Sequence, residues 1–585
     1  MGADFSAEQK RYIEGFVSGL QSTRIARGLA PLGGTGAPGP SEPTGPDALH
    51  LKAQDETVAA GKKLNDQEKW KRAEHPFDAY PRLKAQAEAD VYPKPEDNFR
   101  WRYYGLFYVA PAQNSYMARL RIPNGIVTHT QFAGVADLAD AHGGGFIDFT
   151  TRANIQIRDI PAHAAVKLVE GVQDIGLASR GSGADNIRNV TGSPTAGIDA
   201  QELYDTRPLA REWHFHILNT RVMTGLPRKF NVAFDGGGIM PVLEETNDIG
   251  FQAVRVAGRE AIMFRVVLGG ISGHKDLARD TGVICTPAEC TPIADAIIRV
   301  FSRHGDRTNR VKARMKYVLD DWGFDKFLAA VETELGRPLT RAAAADIAPR
   351  AGFDRHAHVG VHAQVQAGLN WVGVVAPVGR LTTTQVRGLA LLARTHGDGD
   401  IRLTVWQNML ISGVPDAAVE AVTLGIEALG LDWRAHAVRA GLVACTGAAG
   451  CKFGNADTKK SALEIAAYVE TRLAVDQPVN IHLTGCHHSC AQHYIGDIGL
   501  IGARVDVSGD EQVAGYDVVV GGGFADQARI GRVVYEKVVA TEAPALVERL
   551  LRTWMTHRAA PDETFQAFAT RHEPEALKAL AENVA

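Results

Sequence analysis

Four of the six cysteines in this 585-residue chain form two short pairs: Cys445 and Cys451, five residues between them, and Cys486 and Cys490, three between them. The pairs lie among glycine and other small residues, in CTGAAGC and GCHHSC. Four thiolates suit either a structural zinc ion or an iron–sulfur cluster. Zinc knuckles favour spacings of about two to four residues around one small ion, so this pattern fits a wider cubane better. Four unconnected buried thiols are the bland alternative. Cys285 and Cys290, in CTPAEC, have no matching second pair and read as structural.

Cations and amides recur at alternate positions in two other segments. In TTRANIQIR (150–158), Arg152, Asn154, Gln156 and Arg158 alternate with Ala153, Ile155 and Ile157. On a strand this puts four polar groups on one face and the apolar ones towards a core. In LPRKFNVAF (226–234), Lys229 and Asn231 oppose Phe230, Val232 and Phe234 in the same way. The plain reading of each is an exposed strand face.

The elements that would position these residues come from a duplicated sequence. Residues 123–161 align without a gap on residues 377–415, with 17 of 39 positions identical at a constant offset of 254. The matches include Thr128/Thr382, Gln131/Gln385, His142/His396, Gly143/Gly397, Thr150/Thr404 and Asn154/Asn408, in a repeated unit of strand, helix and strand. The repeat extends to RNVTG (188–192) and VACTG (443–447), which would put Val190 where the second copy has Cys445. Short β-branched segments alternate with Ala/Leu-rich ones from about residue 100, the texture of an α+β (mixed α/β) protein. Upstream, periodicity predicts a helix over 5–26, a Pro/Gly-rich linker over 31–47, and a charged helical arm to about residue 96. The arm reads as a solvated strap.

Length implies about three to five structural units. With 45% hydrophobic and 22% charged residues, wholesale disorder is excluded. A net charge of −4 argues against a nucleic-acid binder held by a strong global field. No apolar run approaches the ~20 residues that span a bilayer, and the N-terminal residues lack a secretory pattern. The expectation is a cytoplasmic protein with neither membrane nor nucleic-acid partners.

Taken together, Cys-x5-Cys followed by Cys-x3-Cys, with VACTG, LTGC and GDIGL around them, resembles the assimilatory nitrite and sulfite reductases. The resemblance covers roughly residues 100–555 and implies a sirohaem coupled to a [4Fe–4S] cluster. It implies two ferredoxin-like half-domains (99–165 and 351–425), a first sirohaem-binding domain (166–350) and a cluster domain (426–560), with 1–98 and 561–585 outside them. Cys445, Cys451, Cys486 and Cys490 would ligate the cluster, Cys490 also the sirohaem iron. Arg119, Arg188, Lys229 and Asn231 would form the substrate pocket. Arg152, Asn154, Gln156 and Arg158, with Asn309, Arg310, Lys312 and Arg314 of DRTNRVKARMKY, would meet the macrocycle's carboxylates.

Within this family, Lys-x-Lys at 229–231 is typical of sulfite reductases and Lys-x-Asn of nitrite reductases, so Lys229-Phe230-Asn231 favours six-electron reduction of nitrite to ammonia. A sulfite reductase, and more remotely a non-catalytic iron–sulfur or zinc-stabilised scaffold, are the alternatives. The glycine cluster in DVVVGGGFADQARIG (517–531) lacks the third glycine of G-x-G-x-x-G, Asp526 standing in its place. The electron donor is therefore expected to be ferredoxin or a similar acidic carrier, docking near Lys452, Lys459 and Lys460 on a monomer. Two departures from plant-type members stand out. Gly450 replaces a Phe, and His487-His488 replace Pro-Asn. The histidines either tune the cluster through hydrogen bonds to sulfur or fill the corner.

Overall fold

Duplication organises the whole architecture in the computed structural model, which describes residues 42–110, 112–508 and 511–583 and scattered positions between 11 and 27. Four five-stranded sheets carry the described chain. The first runs in the order Leu106–Val109, Ser115–Arg119, Asn154–Ile160, Phe146–Thr150, and is completed by Arg380–Thr382. Its copy runs Gly360–Ala363, Leu369–Val374, Met409–Pro415, Asp400–Leu403, and is completed by Ile126–Thr128. Each half therefore lends the other a three-residue antiparallel strand. One apolar core, including Phe132, Phe149, Leu389 and Ile411, runs through both.

The identical positions of the repeat explain the exchange. Thr128 and Thr382 accept the backbone N–H of Gln131 (3.2 Å) and Gln385 (3.3 Å), whose side chains bond back to the cap. These reciprocal capping boxes start the helices His129–His142 and Thr383–His396. Gly125 and Gly379 have φ of +71° and +72°. A Cβ there would lie 2.8 Å from the Leu403 carbonyl and 3.1 Å from that of Phe149, each in the opposite half.

The two larger sheets are copies as well. One comprises Thr191–Gly192, Val232–Asp235, Ile249–Val254, Met263–Leu268 and Arg279–Cys285; the other, Leu442–Ala444, Ile481–Thr484, Ile498–Ser508, Glu511–Val520 and Arg532–Val539. In both, the first three strands pair parallel, the fourth runs against them, and the fifth pairs antiparallel to the fourth. The same lock recurs in each: Asn231 N–H donates to Asp248 at 2.8 Å and Asn480 N–H to Asp497 at 2.7 Å.

This register corrects one expectation. Thr191 pairs with Ala233 and Val443 with His482, and Ala233 and His482 hold equivalent places. Ser193, not Val190, thus stands where the second copy has Cys445. The shared Thr-Gly dipeptide had drawn the alignment three residues out of step.

The arm departs further from its reading. Its helices Asp66–Ala73 and Tyr80–Glu88 are present, but Ala79, Leu83 and Ala87 are buried in the shared core. Glu68 and Lys71 are buried too, and Glu68 meets Arg307 at 2.6 Å. Part of the charge that suggested a solvated face forms internal ion pairs, while Lys69, Arg72, Arg82 and Glu88 remain exposed. Most of the predicted helix 5–26 and of the linker lies outside the described residues; the described positions among 11–24 are helical. The 517–531 segment leads from one antiparallel strand into the next, with no crossover helix. Among the described residues, no helix is long and apolar enough to cross a membrane.

Candidate functional site

The cations singled out in the sequence gather where the two halves face each other. Arg119 ends its strand, and Arg152 occupies the turn Thr150–Asn154, where Ala153 takes φ +46°. Arg188 and Lys229 lie just ahead of the short parallel strands. On the opposite wall the Cys490 carbonyl accepts the Thr151 hydroxyl at 3.0 Å.

Electrostatics sets this cluster apart from an ordinary charged surface. Burial lowers Arg119 to about 10 against the pull of the Cys490 sulfur, and lowers Arg152 to about 10 as well. Arg188 is held well below its ordinary value by burial and by Arg119. Lys229 is likewise far below a normal lysine, through burial first and then Arg314. Lys229 and Arg119 have no carboxylate partner among the described residues, and Arg119 lies 4.7 Å over the Phe107 ring. Like charges assembled at this density leave a strong demand for an anion.

Two buried carboxylates hold the frame beneath. Asp185 takes both Arg310 nitrogens at 2.8 and 2.7 Å and has Lys71 of the arm 3.7 Å away. Asp248 accepts from Arg314 at 2.7 Å and from the Asn231 backbone at 2.8 Å. The Asn231 amide, oriented to satisfy both ends, accepts from Arg152 at 3.0 Å and donates to the Phe230 carbonyl at 3.2 Å.

The four cysteines come from two loops at the ends of the parallel strands Leu442–Ala444 and Ile481–Thr484. The Cys445 sulfur accepts backbone N–H groups of Gly447 at 3.3 Å and Gly485 at 3.2 Å. Burial pushes the Cys486 thiol up to about 11, with Cys490, Cys451 and Cys445 all adding to the rise. Cys490, Cys451 and Cys445 thus lie close enough to Cys486 for their charges to act on it. Among the described residues, no three His, Cys, Asp or Glu side chains close on a single ion.

Other expected contacts lie elsewhere. Asn154 donates to the Leu120 carbonyl at 2.6 Å. Arg158 is paired with Asp148 at 2.8 Å, bonds the Gln156 amide oxygen at 2.8 Å, and reaches the Gly450 carbonyl at 3.4 Å. Asn309 and Lys312 are exposed. Lys459, expected on a docking face, is buried against the Val378 carbonyl, so its charge is turned inward; Lys452 and Lys460 are exposed. Cys285 and Cys290 are buried in the apolar core of the first large sheet, as their structural reading requires.

Arg228 and Arg102 join the cluster without having been singled out. Arg228 is lowered to about 10 by burial and then by Arg310. Strand alternation would have turned it away from Lys229, but the regular strand begins only at Val232. Arg102 follows a short helix and lies 5.8 Å from the Phe107 ring shared with Arg119. A separate groove of about 880 Å³ beside the helix Ala48–Ala59 is no rival anion site. Its Arg221, Arg299 and Arg303 are already paired with carboxylates.

Comparison with known proteins matches both copies of both units. The nitrite and sulphite reductase 4Fe-4S domain matches residues 183–339 and 437–572, and the nitrite/sulfite reductase ferredoxin-like half domain matches 110–175 and 362–429. The chain belongs to the nitrite and sulphite reductase family. It is similar to the ferredoxin–nitrite reductase of Synechococcus elongatus, 36% identical over 460 residues covering 77% of this chain and 88% of that one. The assimilatory ferredoxin-dependent nitrite reductase of Haloferax mediterranei is 30% identical over 549 residues, covering 88% and 93%. The solved structure of the Mycobacterium tuberculosis NirA protein superposes with a TM-score of 0.82 at 28% identity, covering 89% of this chain and 99% of that one. All four cluster-type cysteines fall in the second 4Fe-4S domain match.

Proposed function

We propose that this protein reduces nitrite to ammonium, using six electrons from ferredoxin and eight protons and releasing two waters, at the cation cluster facing Cys490. The observation that carries the proposal is a set of buried cations, Arg119, Arg228 and Lys229, with no carboxylate in ion-pair contact among the described residues, beside a four-cysteine corner. Cys445, Cys451, Cys486 and Cys490 would hold a [4Fe–4S] cluster, Cys490 also ligating sirohaem iron, while Arg152 and Arg228, which have no carboxylate partner among the described residues, would meet the macrocycle's carboxylates, Arg310 and Arg314 being taken by Asp185 and Asp248. When bound, the two groups supply the one-electron redox chemistry that no side chain here provides.

The chain's own residues supply the anion's environment. Arg119, Arg188 and Lys229 attract nitrite and stabilise charge on its oxygens as the N–O bonds lengthen. The Lys229 ammonium, destabilised by burial and by Arg314, gives up a proton more readily than an exposed lysine. Asn231 adds an amide where a second lysine would favour a dianion; its tie to Arg152 keeps the field suited to a monovalent substrate.

Side-by-side kcat/KM for nitrite and sulfite, measured on the cofactor-loaded enzyme with a reduced viologen, tests this reading. Strong preference for nitrite with ammonium as product is expected. Preference for sulfite would overturn the role given to Asn231, and turnover of neither would overturn the reaction class.

A further inference from the structure

The cluster corner holds a hydrogen bond that its backbone does not supply. Cys445 is served by two backbone N–H groups; the Cys486 sulfur takes a backbone hydrogen bond from His488 and also lies 3.2 Å from Nδ1 of that residue. A thiolate bound to iron carries no proton, so the imidazole nitrogen facing it can only donate. The ring is held on both sides. The His487 ring centroid is 4.3 Å away and that of Phe453 5.0 Å. From the first half, Gly273 packs so closely that a Cβ there would come within 3.1 Å of the His488 carbonyl. His487 makes no hydrogen bond among those of the described residues.

We infer that His488 donates its Nδ1–H to the Cys486 sulfur and thereby raises the reduction potential of the cluster. The inference rests on the reading that these cysteines hold a [4Fe–4S] cluster. An N–H dipole aimed at a ligand sulfur favours the more negative, reduced state, because added charge resides partly on sulfur. The two histidines therefore divide their work: His488 tunes the cluster and His487 braces the ring.

An EPR-monitored redox titration of the reconstituted holoprotein separates this from simple filling. His488→Phe keeps the ring's bulk without its N–H, and its cluster should accept an electron about tenfold less favourably, a shift of about 59 mV to more negative potential for a one-electron couple. His488→Asn places an amide donor near the same position and should stay close to wild type, as should His487→Phe. An unchanged potential in His488→Phe, or an equal shift in His487→Phe, would overturn the inference. Should His488→Phe fail to assemble a cluster, pulsed EPR of wild type carrying ¹⁵N-histidine decides it. A histidine nitrogen coupling that persists in His487→Phe supports the hydrogen bond, and its absence refutes it. Wild-type protein that binds no iron and sulfide after reconstitution would instead refute the cluster reading itself.

Discussion

The cation cluster and its counterpart across the duplication occupy the same frame and hold opposite contents. Arg119 pairs with Gln156 across its sheet as Gly373 pairs with Leu410, and Arg152 corresponds to Trp406 at the repeat's offset of 254. On the second side Trp371, Val405, Trp406, Leu410 and Phe524 close into an apolar core. A Cβ on Gly373 would lie 2.4 Å from the Val359 backbone, so chain fills the space that a guanidinium takes at Arg119. The locks beneath are nonetheless alike. Asp248 and Asp497 each take an equivalent asparagine N–H and a guanidinium, from Arg314 at 2.7 Å and Arg355 at 2.6 Å. Duplication thus preserved the frame, while side-chain content separated an anion site from a packing interface.

Exchanging content between the two regions gives the largest expected effects. Trp406→Arg buries an unpaired charge in an apolar core and should cost about 3–5 kcal/mol in urea unfolding. Arg152→Trp should cost far less stability, about 1 kcal/mol, while weakening anion binding. Equal costs would mean that the contrast is not one of packing against chemistry. Next, Lys229→Met should lower kcat/KM for nitrite by about 10²–10³-fold with an unchanged or raised Tm, since an unpaired buried cation disappears. A clear fall in Tm would mark Lys229 as a structural residue.

A smaller effect comes from Asp185. Burial opposes its ionisation, but Arg310 outweighs burial and holds it at about 2, below its unfolded value of 3.8. A folded-state value below the unfolded one stabilises above pH 3.8 and ceases to do so as pH falls towards 2. Wild type should therefore lose about 2 kcal/mol over that window. In Asp185→Asn that part of the acid limb should flatten when urea midpoints are compared from pH 5 to pH 2.5. Smallest is Asn231→Lys, which should move the sulfite-to-nitrite ratio of kcat/KM about tenfold towards sulfite by adding a charge beside Arg152.

Sequence carried much of this because both signals are local. Cysteine spacing reports the ligand loops, and identical capping and glycine positions report the repeat. The exchange of strands at 126–128 and 380–382 is a long-range pairing that no spacing encodes. The arm misled because charge density says nothing about burial when Glu68, Lys71 and Arg307 neutralise one another inside. Arg228 was hidden by alternation applied before a strand had begun. Lys459 was misjudged because a helix-start lysine gives no local sign that its ammonium points at a carbonyl.

The cation cluster of the first copy faces the four cysteines of the second and does chemistry with them, whereas its counterpart around Trp406 packs. Iron-edge anomalous diffraction from crystals of the holoprotein tests this division most directly. Two adjoining iron centres are expected beside Cys490, one against Arg119 and Lys229 and one among the four cysteines, with none enclosed between Trp371, Trp406 and Phe524. Iron enclosed between Trp371, Trp406 and Phe524, or a single ion bound by the four cysteines with nothing at the cations, would contradict this division.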